Sequence, residues 1–268
     1  MKLEIMDLSF LDQPEILRFV FYPRRPIGKV IESEQIFSLK FPVTNTIYVG
    51  GRFYLTDKKA PILLFFHGNG EMATDYDSIA PLYQQIGVNF YVTDFRGYGI
   101  SNGSPSFSKM IQDAHTIYNQ LSKYLASNEF SGSIGIMGRS LGSASALELV
   151  SHYQNQITCL IIESGFVHTY KLLRHLGISP STLNPEKEED ASLLPLLKKI
   201  RIPTLVIHGA NDSIIPFSEG ETIYNNISSY KKKFLIIPRA GHNDLLIRGF
   251  NDYMAAVENI LSESANSH

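Results

Sequence analysis

The chain has 268 residues, 44% of them hydrophobic, and a formal charge of −2 from 24 basic and 26 acidic residues. That is enough chain for one full-size α/β domain with a sizeable core, and the composition is too apolar for disorder. Balanced charge without a long basic block excludes the electrostatic footprint of a nucleic-acid-binding protein.

From the start, MKLEIMDLSFLDQPEILRFVFYPRR breaks its apolar residues with charges and Pro14, where a signal peptide needs an unbroken run. No segment reaches the roughly 18 apolar residues that a membrane span requires. The stretch ILRFVFYPRR is expected to pack on the domain edge; its apolar patch beside Arg24 and Arg25 leaves peripheral membrane contact as the rival reading. Next, QIFSLKF and TIYVGGRFYL alternate and sit close together, as an antiparallel pair would. The runs at 61–66, 88–95, 133–137, 159–163, 204–208 and 234–238 are short and continuously apolar, as strands of a parallel sheet covered on both faces are. Stretches of helical character separate them. SKMIQDAHTIYNQLSKYL sets Met110, Ile111, Ala114, Ile117, Tyr118, Leu121 and Leu125 on one face. SEGETIYNNI opens with Ser218 and Glu221 in capping-box spacing, and NDYMAAVENIL closes the chain as an amphipathic helix. Strands alternating with helices mean right-handed βαβ units. The longest interval without a strand, about 164–202, is expected to be a lid insertion, with an ordinary crossover as its alternative. Lys231, Lys232 and Lys233 are expected to form a solvated turn before the last strand. A single cysteine, Cys159, lies inside an apolar run, so a disulfide framework is excluded and a reducing, cytoplasmic location is expected.

The chemistry concentrates at Gly138-Arg139-Ser140-Leu141-Gly142, between an apolar strand and a helix rich in small residues. G-x-S-x-G in that setting is a nucleophile elbow: the glycines permit a sharp turn that lifts the Ser140 hydroxyl above the strand end. A hydroxyl needs a base, and His242, in PRAGHND directly after the last strand, is the candidate. His115 reads as a helix-surface or core residue, His67 and His208 as loop-shaping, and His152, His168, His175 and His268 have no positional claim. The imidazole needs an acid to fix its tautomer. Asp212, just past the strand at 204–208, is preferred over Glu163, and the order Ser140, Asp212, His242 is that of a hydrolase triad. An oxyanion requires two donors. These are expected to be the backbone N–H groups of Leu141 and of Asn69, the latter in FFHGNGEM. DFRGYGISNG imitates a dinucleotide fingerprint, but Gly97, Gly99 and Gly103 are spaced one residue too long. No His/Cys/carboxylate cluster shows metal-ligand spacing, so neither metal nor cofactor is expected.

With FFHGNGE, TDFRGYGISNGSP, GRSLGS, HGANDSIIP and GHND in hand, the chain resembles the α/β-hydrolase superfamily from about residue 34 to 262. Within it the chain is similar to Bem46-like abhydrolases, which include acyl-protein depalmitoylases, and more distantly to monoacylglycerol lipases and serine aminopeptidases. The resemblance implies an eight-stranded, mostly parallel sheet with helices on both faces and a small lid, residues 1–33 being an extension packed on the core. It also implies a cofactor-free serine hydrolase acting on a small acyl ester or thioester, with Ser140, Asp212 and His242 as triad and Asn69 and Leu141 as oxyanion donors. Such relatives often carry an N-terminal membrane anchor or a lipidated cysteine-rich segment, which this sequence does not show. An aminopeptidase-like activity, with PEKEED supplying a carboxylate for an α-amine, and a non-catalytic binding fold are the rival functions.

Overall fold

The structure, a computed structural model, describes residues 4–265. His268 therefore lies outside the described residues. A sheet of eight strands runs in the order β1-β2-β4-β3-β5-β6-β7-β8. β1 (Ile36–Pro42) and β2 (Tyr48–Tyr54) form the antiparallel hairpin. β2 also pairs antiparallel with β4 (Asn89–Thr93). From there β3 (Ile62–Phe66), β5 (Ile134–Arg139), β6 (Leu160–Glu163), β7 (Thr204–Gly209) and β8 (Lys232–Ile237) continue in parallel.

The apolar runs are continuous because both faces are covered. In β3, Ile62, Leu64 and Phe66 belong to one core cluster and Leu63 and Phe65 to the other, as alternation across a strand requires. The first core receives α1 (Pro14–Val20), α3 (Phe107–Ser127), α4 (Gly142–Tyr153), α6 (Leu194–Leu197) and α7 (Phe217–Asn226). The second receives α2 (Ala80–Gln85), α8 (Leu245–Arg248) and α9 (Phe250–Ala265). The remaining helix, α5 (Thr169–His175), also faces the first core through Tyr170 and Leu173. In α3 the seven residues of the expected stripe are all buried, and Ser106 caps the helix by accepting from Lys109 N–H. Each of its larger apolar side chains contributes roughly 1.5–3 kcal/mol by leaving water.

The N-terminal segment is woven into the domain: Leu8, Leu11, Ile16, Val20 and Phe21 are buried in the first core. Arg24 donates to Gly70 O and pairs with Asp75, and Arg25 reaches the carbonyls of Gly99 and Ser101. Residues 164–202 hold α5, α6 and two short 3-10 turns at Pro180–Thr182 and Pro185–Lys187. Their start is tied down by Glu219, whose Oε2 accepts from the N–H groups of Val167 at 2.8 Å and His168 at 3.0 Å.

Two local expectations are corrected. α7 begins at Phe217 with Pro216 at its N-cap, two residues earlier than the capping-box reading places it, so Ser218 lies inside the first turn and its carbonyl accepts from Thr222. The lysine run is not simply a solvated turn, because β8 begins at Lys232. Lys232 Nζ donates to the carbonyls of Tyr224 and Ile227 at 2.7 and 3.1 Å, where the C-terminal end of α7 presents acceptors.

Candidate active site

Ser140 sits between β5 and α4 at φ +51°, a backbone conformation that costs a non-glycine residue energy. Its surroundings hold it there. Ser140 N–H donates to Glu163 O at 2.9 Å, and the Ser143 hydroxyl donates to Ser140 O at 2.6 Å. Both flanking glycines are required by close approach. A Cβ on Gly142 would stand 2.1 Å from Phe66 O, and one on Gly138 would stand 2.6 Å from Gly142 O.

Three elements distant in sequence converge on this hydroxyl. His242, in the turn after β8, brings Nε2 to 3.0 Å from Ser140 Oγ and Nδ1 to 2.8 Å from Asp212 Oδ2. Asp212 lies just past β7, where its other oxygen accepts from Ile214 and Ile215 N–H, each at 2.9 Å. The residue thus serves both as turn former and as partner of the imidazole. Burial pushes the Asp212 carboxyl up, but the hydrogen bond and charge of His242, with Ile215 N–H and His208, hold it below its ordinary value. It is therefore a carboxylate at neutral pH, facing the ring nitrogen that must carry a proton. Ser140, Asp212 and His242 are all buried.

Glu163, the rival acid, is engaged elsewhere: it pairs with Arg139 Nε at 2.9 Å and accepts from the Tyr253 hydroxyl at 2.5 Å. The other histidines are also occupied, and of them His208 stands beside the site, with Nε2 3.5 Å from Asp212 Oδ2. His67 bonds Gly68 O, His208 bonds Ile215 O, His168 bonds Glu219 and His175 bonds Ser213 O.

Asn69 and Leu141 line the same cavity as Ser140 and His242, a volume of about 360 Å³. The Asn69 side chain is clamped, accepting from the Tyr98 hydroxyl at 2.7 Å and from Tyr22 N–H at 3.1 Å. Tyr98 belongs to the glycine-rich segment that mimics a dinucleotide fingerprint, so that segment buttresses the Asn69 loop. The cavity walls are apolar: Phe19, Val20 and Tyr22 come from α1 and its exit, and Leu172, Leu173 and Leu176 from α5 and its end.

Arg139, the residue before Ser140, is the part that sequence reasoning missed. Its Nη2 donates to His242 O and to Asn243 Oδ1, both at 2.8 Å, while Nη1 pairs with Glu71 and Nε with Glu163. Burial opposes its charge, but Glu71 and Glu163 hold the guanidinium above its ordinary value. Glu71 in turn accepts from Gly68 N–H and the Tyr76 hydroxyl, each at 2.7 Å. Arg139 thereby ties the elbow to the histidine turn and, through Glu71, to the Asn69 loop. A signal existed in the β5–β6 register, which sets Arg139 beside Glu163. Sequence spacing showed no metal-ligand cluster, yet three side chains of suitable chemistry come together where α3 meets α4. His115, Glu148 and His152 bring one ligand atom each to within 4.8 Å of one another, although only Glu148 and His152 are near in sequence.

The family described as serine aminopeptidase, S33, matches residues 57–185. Protein bem46 of Schizosaccharomyces pombe is 28% identical over 207 residues, covering 76% of this chain and 68% of that protein. Alpha/beta hydrolase domain-containing protein 17C of Mus musculus is 28% identical over 206 residues, covering 75% of this chain and 59% of that protein. The chain thus spans less than two thirds of the mouse relative's length. Among solved structures, the Pyrococcus furiosus esterase Pf2001 superposes with a TM-score of 0.73 at 18% identity, covering 90% of this chain and 99% of that one. A soluble variant of monoglyceride lipase from Saccharomyces cerevisiae gives 0.65 at 15% identity, covering 90% and 99%.

Proposed function

For a chain with the α/β-hydrolase fold, we propose hydrolysis of carboxylic esters or thioesters through an acyl-enzyme on Ser140. The observation that carries the reading is the unbroken hydrogen-bond relay from Ser140 Oγ through His242 to Asp212, at 3.0 and 2.8 Å, opening onto an apolar cavity. His242 Nε2 takes the hydroxyl proton as Oγ attacks the acyl carbon. The developing oxyanion is met by the N–H groups of Leu141 and Asn69. The imidazolium, stabilised by the Asp212 carboxylate, returns the proton to the departing alcohol or thiol. Water then repeats the sequence on the acyl-enzyme and frees the acid.

The apolar walls favour an acyl group over a charged one. An aminopeptidase would need a carboxylate to hold an α-amine, and no residue of PEKEED lines the cavity, Glu188 pairing with Arg174 and Asp190 with Lys187 at the surface. Among the described residues lining the cavity, the carboxylate is that of Glu71, already committed to Arg139.

A fluorophosphonate probe, followed by peptide mapping, is expected to label Ser140. Chromogenic acyl esters and thioesters of rising chain length are then expected to turn over, while aminoacyl amides do not. An unlabelled Ser140 would return the fold to a binding role, and turnover of amides alone would favour the peptidase.

Arg139 acts as a positioning residue in this scheme. Arg139→Gln is expected to lower kcat by about 10–100-fold with a smaller change in KM, because a loosened histidine turn misaligns proton transfer by a fraction of an ångström. It should also cost about 3–5 kcal/mol of stability by leaving Glu71 and Glu163 uncompensated. Steady-state kinetics well below the melting temperature separates the two effects; an unchanged kcat would reduce Arg139 to a purely structural role.

A further inference from the structure

Away from the serine, α3 and α4 meet around a buried carboxylate. Glu148 is fully buried, and its Oε1 is approached by His115 Nε2 at 3.2 Å, by His152 Nε2 at 3.1 Å and by Met6 N–H at 3.2 Å. Its other oxygen, Oε2, is buried without a hydrogen-bond partner among the described residues. A buried carboxyl that crowds three polar neighbours onto one oxygen and leaves the other bare is poorly served as a simple hydrogen-bond acceptor. We propose that His115, Glu148 and His152 form a binding site for a divalent transition-metal ion of the zinc class.

Three observations carry the assignment. The first is ligand chemistry: two imidazoles and one carboxylate make a three-ligand zinc set, with a fourth position left for water. The second is spacing. Zn–N and Zn–O bonds near 2.1 Å in tetrahedral array separate neighbouring ligand atoms by roughly 3.3–3.5 Å. The carboxylate-to-imidazole separations of 3.2 and 3.1 Å are within a few tenths of that. The third is orientation from outside the site. His115 Nδ1 lies 3.3 Å from the Tyr153 hydroxyl, a partner that can accept the Nδ1 proton and leave the Nε2 lone pair facing inward. An entry path exists as well, since a cleft of about 490 Å³ reaches Glu148 from the surface and carries Asp7, Glu189 and Asp190 against Lys187 and Lys199.

The site is separate from the proposed chemistry. Glu148 and His152 lie in α4 beyond its first turn, so a bound ion would clamp α4 to α3 and stabilise the fold rather than touch substrate. Metal-depleted protein titrated with Zn²⁺ is expected to take up about one ion per chain and to melt at higher temperature, as any ligand specific to the native state requires. Co²⁺ in its place should give the intense visible bands of tetrahedral coordination. His152→Ala and Glu148→Gln are each expected to weaken uptake by about 100-fold or more, at least matching the loss of an outer-shell partner. Wild type that binds no Zn²⁺, or binds it no better than folded His152→Ala protein, would overturn the site. His152 is the least buried of the three, so its variant decides the matter even if Glu148→Gln fails to fold. Ester turnover is expected to survive chelation unchanged, which separates the fate of this site from that of the serine mechanism.

Discussion

Replacing Ser140 by alanine is expected to lower kcat for ester hydrolysis by about 10⁶-fold, the scale seen when a triad loses its nucleophile. The variant should fold, because the hydroxyl is not what holds the elbow. That conformation rests on Ser140 N–H to Glu163 O, on Ser143 to Ser140 O and on the tight contacts of Gly138 and Gly142, all of which alanine keeps. What disappears is the atom that attacks. The oxyanion donors and the cavity remain, so a residual rate about 10³–10⁴ above water is expected. Adding His242→Ala to Ser140→Ala should cost little more, since a base without a nucleophile has nothing to activate. Single-turnover kinetics with a chromogenic ester and a melting curve for each variant make the measurement. Near-wild-type activity in Ser140→Ala would end the acyl-enzyme reading.

Asp212→Asn should lower kcat by about 10⁴-fold while leaving the geometry nearly unchanged. The direction follows from the two halves of the side chain. One oxygen accepts from Ile214 and Ile215 N–H, so the amide carbonyl of asparagine will take that place and turn its NH₂ toward His242 Nδ1. A donor facing Nδ1 forces the proton onto Nε2, and a protonated Nε2 cannot receive the Ser140 hydrogen. The same substitution alters pH dependence of stability. The Asp212 carboxyl titrates below its ordinary value in the folded chain, so it contributes stability above the unfolded value of 3.8, lost as pH falls through the folded one. Wild type should therefore lose melting temperature more steeply below about pH 4 than Asp212→Asn does. Equal acid profiles, with kcat unaffected, would show that Asp212 serves only its turn.

The positions of Ser140, Asp212 and His242, the proposed reacting groups, were legible because each follows an apolar strand whose end the sheet brings to one rim. Runs such as Ile62–Phe66, apolar throughout, and Leu160–Glu163, apolar up to its final residue, announce themselves, and the residues just beyond β5, β7 and β8 follow from such runs. Arg139 was not legible as a connector, since its partners Glu71, Glu163 and Asn243 come from three other segments. His115 and Glu148 are likewise joined only by the packing of α3 on α4, which no local spacing encodes. The helix start at Phe217 escaped because the serine in capping-box register is not the cap: Pro216 holds the N-cap position just before the helix, and Ser218 is already helical.

The wall formed by Phe19, Val20 and Tyr22 reaches the cavity from chain that precedes every strand. Tyr22 is coupled to the Asn69 loop through its main-chain N–H, so its ring is free to change without loosening that loop. On the proposed mechanism, what the cavity admits and how it reacts are thus written in different stretches of polypeptide. Drift at a few early positions can redraw the guest list while the machinery behind it keeps its alignment.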